Sequence, residues 1–316
     1  MKKKLIFDTD AGADDLLALF FLLKNKKNSL DKIITSYGNY SLEMVANRVN
    51  RFLSENNFEA NVITGSGKPL KRNYHFHGFD IHGDLWTDIS LKPKTSLIKK
   101  IFIYKNITFF QKDDKNKYTY VSVGPLTNLS KVVLKSPDRI KEAFIMGGSL
   151  FYPGNATSVA EANFYWDPEA AKKVLTSNIK KYLIPLNLTD KIQFNRKHLR
   201  KLKSKSLKKL MTSYCDFYID QKKEVFSGLN KEKIIYKGAA IHDLVTTVIA
   251  VYPNIATFTD QVISLESIEN NNGLIIPVLR KEHQVSNNDD LVKLRVAVNI
   301  DIEKFWKIVK VIFEYN

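Results

Sequence analysis

Apolar residues in this chain fall into short blocks that alternate between two periods. Leu5-Ile6-Phe7 is a continuous apolar run of strand type that ends at Asp8. From Asp14 to Lys24 the apolar positions recur at helical spacing. Lys32–Tyr37 reads as a second strand closing on Gly38-Asn39, and Ser41 caps an amphipathic helix through Leu53. Asn61–Thr64 is a third strand. Residues 66–93 then lose periodicity and carry Gly67, Pro69, Gly78, Gly83 and Pro93. A long irregular stretch inside a compact domain is usually functional or mobile.

Periodicity returns with strands at Tyr118–Val123, closing on Gly124-Pro125, and at Ala143–Met146, closing on Gly147-Gly148. Asp167-Pro168-Glu169 combines an N-cap, a proline at the first helical position and an early acid, so a helix starts there. Tyr182–Leu186 is a further strand, and His242-Asp243 opens a helix through Tyr252. Asn270-Asn271-Asn272-Gly273 between apolar runs predicts a hairpin turn. Lys293–Asn299 is a late strand, followed by a helix from Asp301 with Phe305, Ile308, Val309 and Ile312 on its apolar face.

Alternation of this kind predicts an α/β protein with an open, mostly parallel (mixed) sheet flanked by helices. No repeat or low-complexity linker interrupts it, so a single domain over residues 1–316 is expected. The 44% hydrophobic content supplies a sizeable core. One cysteine, Cys215, excludes an internal disulfide and fits a reducing, cytoplasmic setting. No apolar run approaches membrane-spanning length. The formal charge of +16 invites a nucleic-acid reading, but it comes mainly from lysines spread along the whole chain. Its densest run, residues 195–205, carries Leu199 and Leu202 at helical spacing and reads as the solvated face of an amphipathic helix. Neither nucleic acid nor membrane is an expected partner.

The chemistry gathers at strand ends. Asp8, Asp10, Asp14 and Asp15 crowd around the turn at Gly12, where like charges repel. A helix N-terminus offsets part of this. A hard cation would offset more, and oxygen-only ligands favour Ca²⁺ or Mg²⁺ over zinc. In open α/β sheets ligands bind beyond the carboxyl ends of the strands, so the other strand-end motifs converge with these acids on one crevice.

Asp8-Thr9-Asp10-Ala11-Gly12-Ala13-Asp14-Asp15 resembles the signature of the nucleoside hydrolases, the inosine–uridine-preferring N-ribohydrolase family. Gly38-Asn39, His82-Gly83-Asp84, Val123-Gly124-Pro125-Leu126-Thr127-Asn128, Ile145-Met146-Gly147-Gly148, Asn155, Glu161-Ala162-Asn163, Asp167-Pro168-Glu169-Ala170-Ala171 and His242-Asp243 follow in the family's order. The resemblance implies a Rossmann-like fold and hydrolysis of the N-glycosidic bond of ribonucleosides, giving base and ribose for salvage. It implies Ca²⁺ held by Asp10, Asp15, Asp243 and the Val123 carbonyl, with Asp10 as the base that deprotonates the attacking water. Asp14 is implied at the ribose 2′-hydroxyl, and Asn39, Met146, Asn155, Glu161 and Asn163 at the 3′- and 5′-hydroxyls. His242 is the implied proton donor to the leaving base, and His82 an implied base contact. Phe217 and Tyr218 either stack on the base, form a lid or simply pack their helix. Members are commonly homodimers or homotetramers.

One departure from the family pattern and one local feature stand out. Ala11 replaces the family's usual proline, which predicts a looser turn with all ligands intact. Phe151-Tyr152-Pro153 is an unusually aromatic stretch, expected to narrow the 5′ side. The alternatives on the same scaffold are a hydrolase of a modified nucleoside and a catalytically silent nucleoside- or ribose-binding protein.

Overall fold

The computed structural model describes residues 3–73, 109–110, 114–227, 238–264, 272–278 and 291–314. Its strands are β1 (Lys3–Thr9), β2 (Asn28–Thr35), β3 (Val62–Thr64), β4 (Tyr118–Ser122), β5 (Ile140–Met146), β6 (Lys181–Ile184), β7 (Gln193–Asn195), β8 (Gly238–Ala240), β9 (Ala256–Ser264), β10 (Ile276–Pro277) and β11 (Leu291–Ile300). The helices needed below are α1 (Ala13–Lys24), α2 (Leu42–Glu55), α3 (Thr127–Lys135), α4 (Ala162–Trp166), α5 (Pro168–Thr176), α6 (Leu186–Thr189), α7 (Arg196–Lys201), α8 (Lys205–Ser227) and α9 (His242–Val251). The chain closes with Ile302–Ile308 and Val311–Glu314.

The main sheet runs β10-β9-β11-β6-β5-β4-β1-β2-β3. From β3 to β6 and on to β11 every neighbouring pair is parallel, while β9 pairs antiparallel with both β11 and β10. The sheet is therefore mixed and mostly parallel. The chain leaves β1 towards β2 and β3, then returns to β4 on the other side of β1. That reversal opens a crevice at the carboxyl ends of β1 and β4.

Alternation along β1 feeds both faces. Leu5 and Phe7 join the core under α1, α2, α8 and α9, while Ile6 joins the core under α3 and α5. Burying each such side chain contributes about 1.5–3 kcal/mol. Helix α1 is buried all round from Ala13 to Leu22, as expected of a helix with apolar residues on every side. It packs against β2, α8 and α9, and α9 itself lies on β4 and β5, which fixes the position of α1's amino end.

Several expected boundaries move. β2 begins at Asn28 rather than Lys32, because Leu30 continues the ladder against Leu5. β6 stops at Ile184, where Pro185 precedes a helical turn from Leu186. The basic run divides into α7 and α8 at Leu202–Ser204; Ser204 Oγ accepts from the Leu207 amide at 3.3 Å and starts the second helix. Leu199, Leu202, Leu207 and Leu210 are all buried, so the lysines form a solvated face as expected. The expected caps hold, with Ser41 accepting from Met44 and Asp167 from Ala170; Asp301 also caps its helix, accepting from Lys304. Asn272 and Gly273 both take positive φ, and β10 pairs back on β9 with Ile276 opposite Ser264, so the connection is longer than a tight hairpin turn; Asn270 and Asn271 of the expected turn lie outside the described residues. No helix among the described residues is long and apolar enough to cross a membrane.

α7 is tied to the chain's end by His198. The Asn195 side chain caps the helix, and its main-chain N–H donates to His198 Nδ1 at 3.1 Å. The ring stacks on Trp306 with centroids 4.0 Å apart. Burial, with Lys201 and Lys197 nearby, lowers its pKa to about 4 from 6.5. The folded state therefore holds the neutral ring, while the unfolded chain takes up a proton from about pH 6.5 downwards. Stability from this contact is complete above that point and is lost as pH falls towards 4. Thermal melts should show His198→Gln losing less stability than the parent protein between pH 6.5 and 4; parallel curves would refute the assignment.

Candidate active site

Asp10 lies one residue beyond β1. Its Oδ2 accepts from the Asn39 amide at 2.8 Å and its Oδ1 from Asn39 Nδ2 at 3.0 Å. Gly38 makes that approach possible, since a Cβ there would fall 2.1 Å from Asp10 Oδ2. Asp15 is in the first turn of α1. Thr9 Oγ1 donates to its Oδ1 at 2.5 Å, and the N-cap amide of Gly12 donates to its Oδ2 at 2.9 Å. Asp14 Oδ2 accepts from the amide of Asp243 at 3.3 Å, which joins the amino ends of α1 and α9.

Carboxylate oxygens of Asp14, Asp15 and Asp243 lie within 4.8 Å of one another, and all three residues are buried. Asp14 thus belongs to the trio, although the resemblance reserved it for ribose. Asp10 flanks the trio and is electrostatically coupled to it. Burial first, then the Asp15 charge, pushes Asp10 well above the usual carboxylate range. Burial and the Asp14 charge do the same to Asp243. Asp14 rises to about 7 through burial and Asp15. Two helix amino ends supply only partial positive charge. An all-oxygen donor set, dry and short of positive charge, fits a hard divalent cation.

The other ligand expected from the resemblance, the Val123 carbonyl, follows β4. It accepts from Asn163 Nδ2 at 3.1 Å, and the same amide reaches Met146 O at 3.2 Å and Met146 Sδ at 3.3 Å. Asn163 therefore links Val123 to Met146 across neighbouring strand ends. Glu161 is buried and caps α4. Its carboxylate accepts from the amides of Asn163 and Phe164 and, at 2.9 Å, from Gly148. Burial raises it to about 7 despite these bonds. Asn155 is exposed and its Oδ1 accepts from the Ala162 amide at 2.9 Å.

His242 opens α9 beside Asp243, and its Nδ1 is 2.7 Å from Thr189 Oγ1. The adjacent Asp190 accepts from Tyr152 at 2.6 Å and from Tyr218 at 3.1 Å. Tyr218 is buried and in edge contact with Tyr214. Phe151 is exposed with φ +54, so the aromatic stretch takes a left-handed bend whose next residue reaches Asp190. Phe217 is partly buried. His82 lies outside the described residues. Cys215 is buried with its thiol pushed up to about 12, which suits packing rather than reactivity.

Asp8, left without a task in the sequence, organises the floor of the crevice. It accepts from Tyr120 at 2.7 Å and from Asn128 at 2.9 Å. Asn128 also accepts from the Ser66 amide and donates to Thr35 O. Thr9, Asn128, Thr189 and Asp190 had no assigned role in the sequence. Thr9 and Asn128 lie within the quoted motifs, but Thr189 and Asp190 follow a strand end with no distinguishing spacing.

The turn at Ala11 differs from the expectation. Ala11 has φ +56, a conformation closed to proline, whose ring holds φ near −65°. Its N–H donates to Thr9 Oγ1 at 3.1 Å and its carbonyl accepts from Arg48 Nε at 2.9 Å. The turn is a differently shaped and anchored one, not a loosened proline turn.

The sequence profile of the inosine-uridine preferring nucleoside hydrolases matches residues 5–307. The chain belongs to this family, whose members are ribonucleoside N-glycosyl hydrolases acting on small-molecule ribonucleosides. It is 30% identical to the inosine-uridine preferring nucleoside hydrolase of Leishmania major, across 98% of this chain and 96% of the relative. It is 29% identical to uridine nucleosidase 1 of Arabidopsis thaliana, across 84% and 79%. Among solved structures, the purine-preferring ribonucleoside hydrolase from Gardnerella vaginalis superposes with a TM-score of 0.80 at 24% identity, covering 98% of both chains.

Ala11→Pro should lower kcat/KM and the melting temperature together, because proline cannot take this φ, whereas Ala11→Gly should leave the fold intact. A proline variant as stable and active as the parent would refute the left-handed turn. Gly38→Ala should reduce kcat/KM by about two orders of magnitude by displacing Asp10, consistent with the cost of misplacing a reacting group by about 1 Å. Steady-state assays with a ribonucleoside check both.

Proposed function

We propose that this ribonucleoside hydrolase uses Ca²⁺, held by Asp10, Asp15, Asp243 and the Val123 carbonyl, to split the bond between C1′ and the base. The buried Asp14–Asp15–Asp243 trio with Asp10 beside it is the observation that carries this reading. When bound, the cation neutralises these carboxylates, acidifies a water and accepts a vicinal diol as oxygen ligands.

The remaining chemistry belongs to the side chains. Asp10, oriented by Asn39, takes the proton of the attacking water. Carboxylates crowded at C1′ favour the positive charge that develops on the sugar as the base departs. Asp14 holds the 2′-hydroxyl, which selects ribose over deoxyribose. Asn39, Met146, Asn155, Glu161 and Asn163 hold the 3′- and 5′-hydroxyls. Thr189 fixes the His242 ring through Nδ1, and Nε2 is the nitrogen assigned to protonating the departing base. His82 is assigned to the base itself. The proposed setting is cytoplasmic nucleoside salvage by a homodimer or homotetramer of single-domain subunits.

The test is a panel of ribonucleosides, 2′-deoxyribonucleosides and base-modified ribonucleosides assayed for sugar release. Turnover should vanish with chelator, return with Ca²⁺, and be poor for the deoxy substrates. Asp243→Asn should reduce kcat/KM by about 10³, in the range seen when a group stabilising developing charge is removed. Undiminished turnover after chelation would refute the metal. Saturable ribonucleoside binding with no release of base would favour the silent binding protein.

A further inference from the structure

We propose that Arg48 is a positioning residue for the acid cluster, locking the left-handed Ala11 turn to the loop that carries Asn39. The link to metal binding rests on the metal reading above, whereas the locking itself does not.

Arg48 projects from α2 and is fully buried, the one arginine or lysine so placed among the described residues. Burying a guanidinium is unfavourable unless its surroundings compensate, and an apolar side chain would pack a helix face with no such penalty. Two contacts give the compensation a direction. Nε donates to the Ala11 carbonyl at 2.9 Å. The guanidinium carbon lies 4.2 Å from the centre of the Tyr40 ring, a cation–π geometry.

Both contacts end next to a residue of the site. Ala11 follows Asp10 and precedes the Gly12 N-cap, so its orientation decides how Asp10 relates to Asp14 and Asp15. Tyr40 follows Asn39, which gives Asp10 two hydrogen bonds. One planar side chain therefore spans two loops that must stay in register for Asp10 to keep its direction. The φ of +56 at Ala11 makes the tie necessary, because a non-glycine residue there relaxes unless it is held. Thr9 holds the N–H side and Arg48 the carbonyl side. Removing Arg48 leaves Thr9 alone. A lysine keeps the charge and a donor, but its ammonium is not a planar group matched to the ring and the carbonyl together.

Arg48→Met and Arg48→Lys test this, with three measurements on purified full-length protein. Hydrogen exchange of the segment around residues 9–16, in chelator, should be at least tenfold faster in Arg48→Met and intermediate in Arg48→Lys. Calorimetric Ca²⁺ affinity should fall by about 10–100-fold in Arg48→Met, the range for losing a group that orients metal ligands. On a ribonucleoside, kcat should fall more than KM rises, since Asp10 is displaced from the water more than the sugar contacts are. A lower melting temperature with unchanged exchange and unchanged Ca²⁺ affinity would overturn the proposal, leaving Arg48 a packing residue. If Arg48→Met does not fold, Arg48→Lys carries the same comparison. A parent protein that binds no Ca²⁺ refutes the metal reading, while the exchange measurement still decides the locking.

Discussion

Like charges held in a dry place govern this structure. Asp8, Asp10, Asp14, Asp15 and Asp243 are all buried around the carboxyl ends of β1 and β4. Burial and mutual repulsion both favour protonation, so each acid needs donors aimed at it. The local architecture supplies them for Asp8, Asp10, Asp14 and Asp15. Asn39 serves Asp10, Thr9 and the Gly12 amide serve Asp15, and Tyr120 with Asn128 serves Asp8. The close approach also dictates where side chains are absent. A Cβ at Gly38 would strike Asp10, and one at Gly124 would lie 3.3 Å from it. Donors this numerous stabilise the carboxylates without neutralising them, which leaves the trio with residual demand for a cation.

The fold makes the crowding possible because two directions of chain growth meet at β1. Its neighbours β2 and β4 belong to opposite halves of the sheet order, so motifs far apart in sequence reach the same crevice. Asp243 arrives separately at the amino end of α9, whose packing against α1 aligns the two helix starts. The region around His242 is assembled from other parts. Thr189 and Asp190, at the end of α6, hold His242, Tyr152 and Tyr218, so the aromatic bend at Phe151 and helix α8 share one carboxylate. Electrostatic precision is concentrated at the switch point, and aromatic contacts form the periphery.

The sequence made the strands and capped helices legible because burial imposes a period and caps have side-chain signatures. β1, β4 and β5 were readable from apolar runs ending in glycine or acid, and the helix starts at Ser41 and Asp167 from capping chemistry. Boundaries were less so. Leu30 extends β2 by pairing with Leu5, a contact that no local pattern announces. The break between α7 and α8 depends on Ser204, one serine in a lysine-rich run. Within the site, the acids were visible as chemistry, but their division of labour was not. Asp14 was assigned to ribose from the resemblance, yet its position beside Asp15 and Asp243 depends on α9 reaching α1. Thr189, Asp190 and Arg48 were illegible for the same reason: each acts only through a residue distant in the chain.

Ala11 shows why a one-residue departure from a family pattern is not a local matter. A proline in this turn fixes φ covalently, and its geometry then travels with the residue. Alanine at φ +56 has no such constraint, and an isolated alanine disfavours the left-handed region. The same rigidity must therefore come from outside, from a hydroxyl on the preceding strand and a guanidinium on a helix 37 positions later. Replacing an internal constraint with two external ones ties the turn to α2 and, through Tyr40, to the Asn39 loop. The alignment of Asp10 thereby becomes a property of three segments instead of one. A motif comparison registers only a missing proline, whereas the physical change is a transfer of the constraint from a ring in the backbone to a buried cation on another helix.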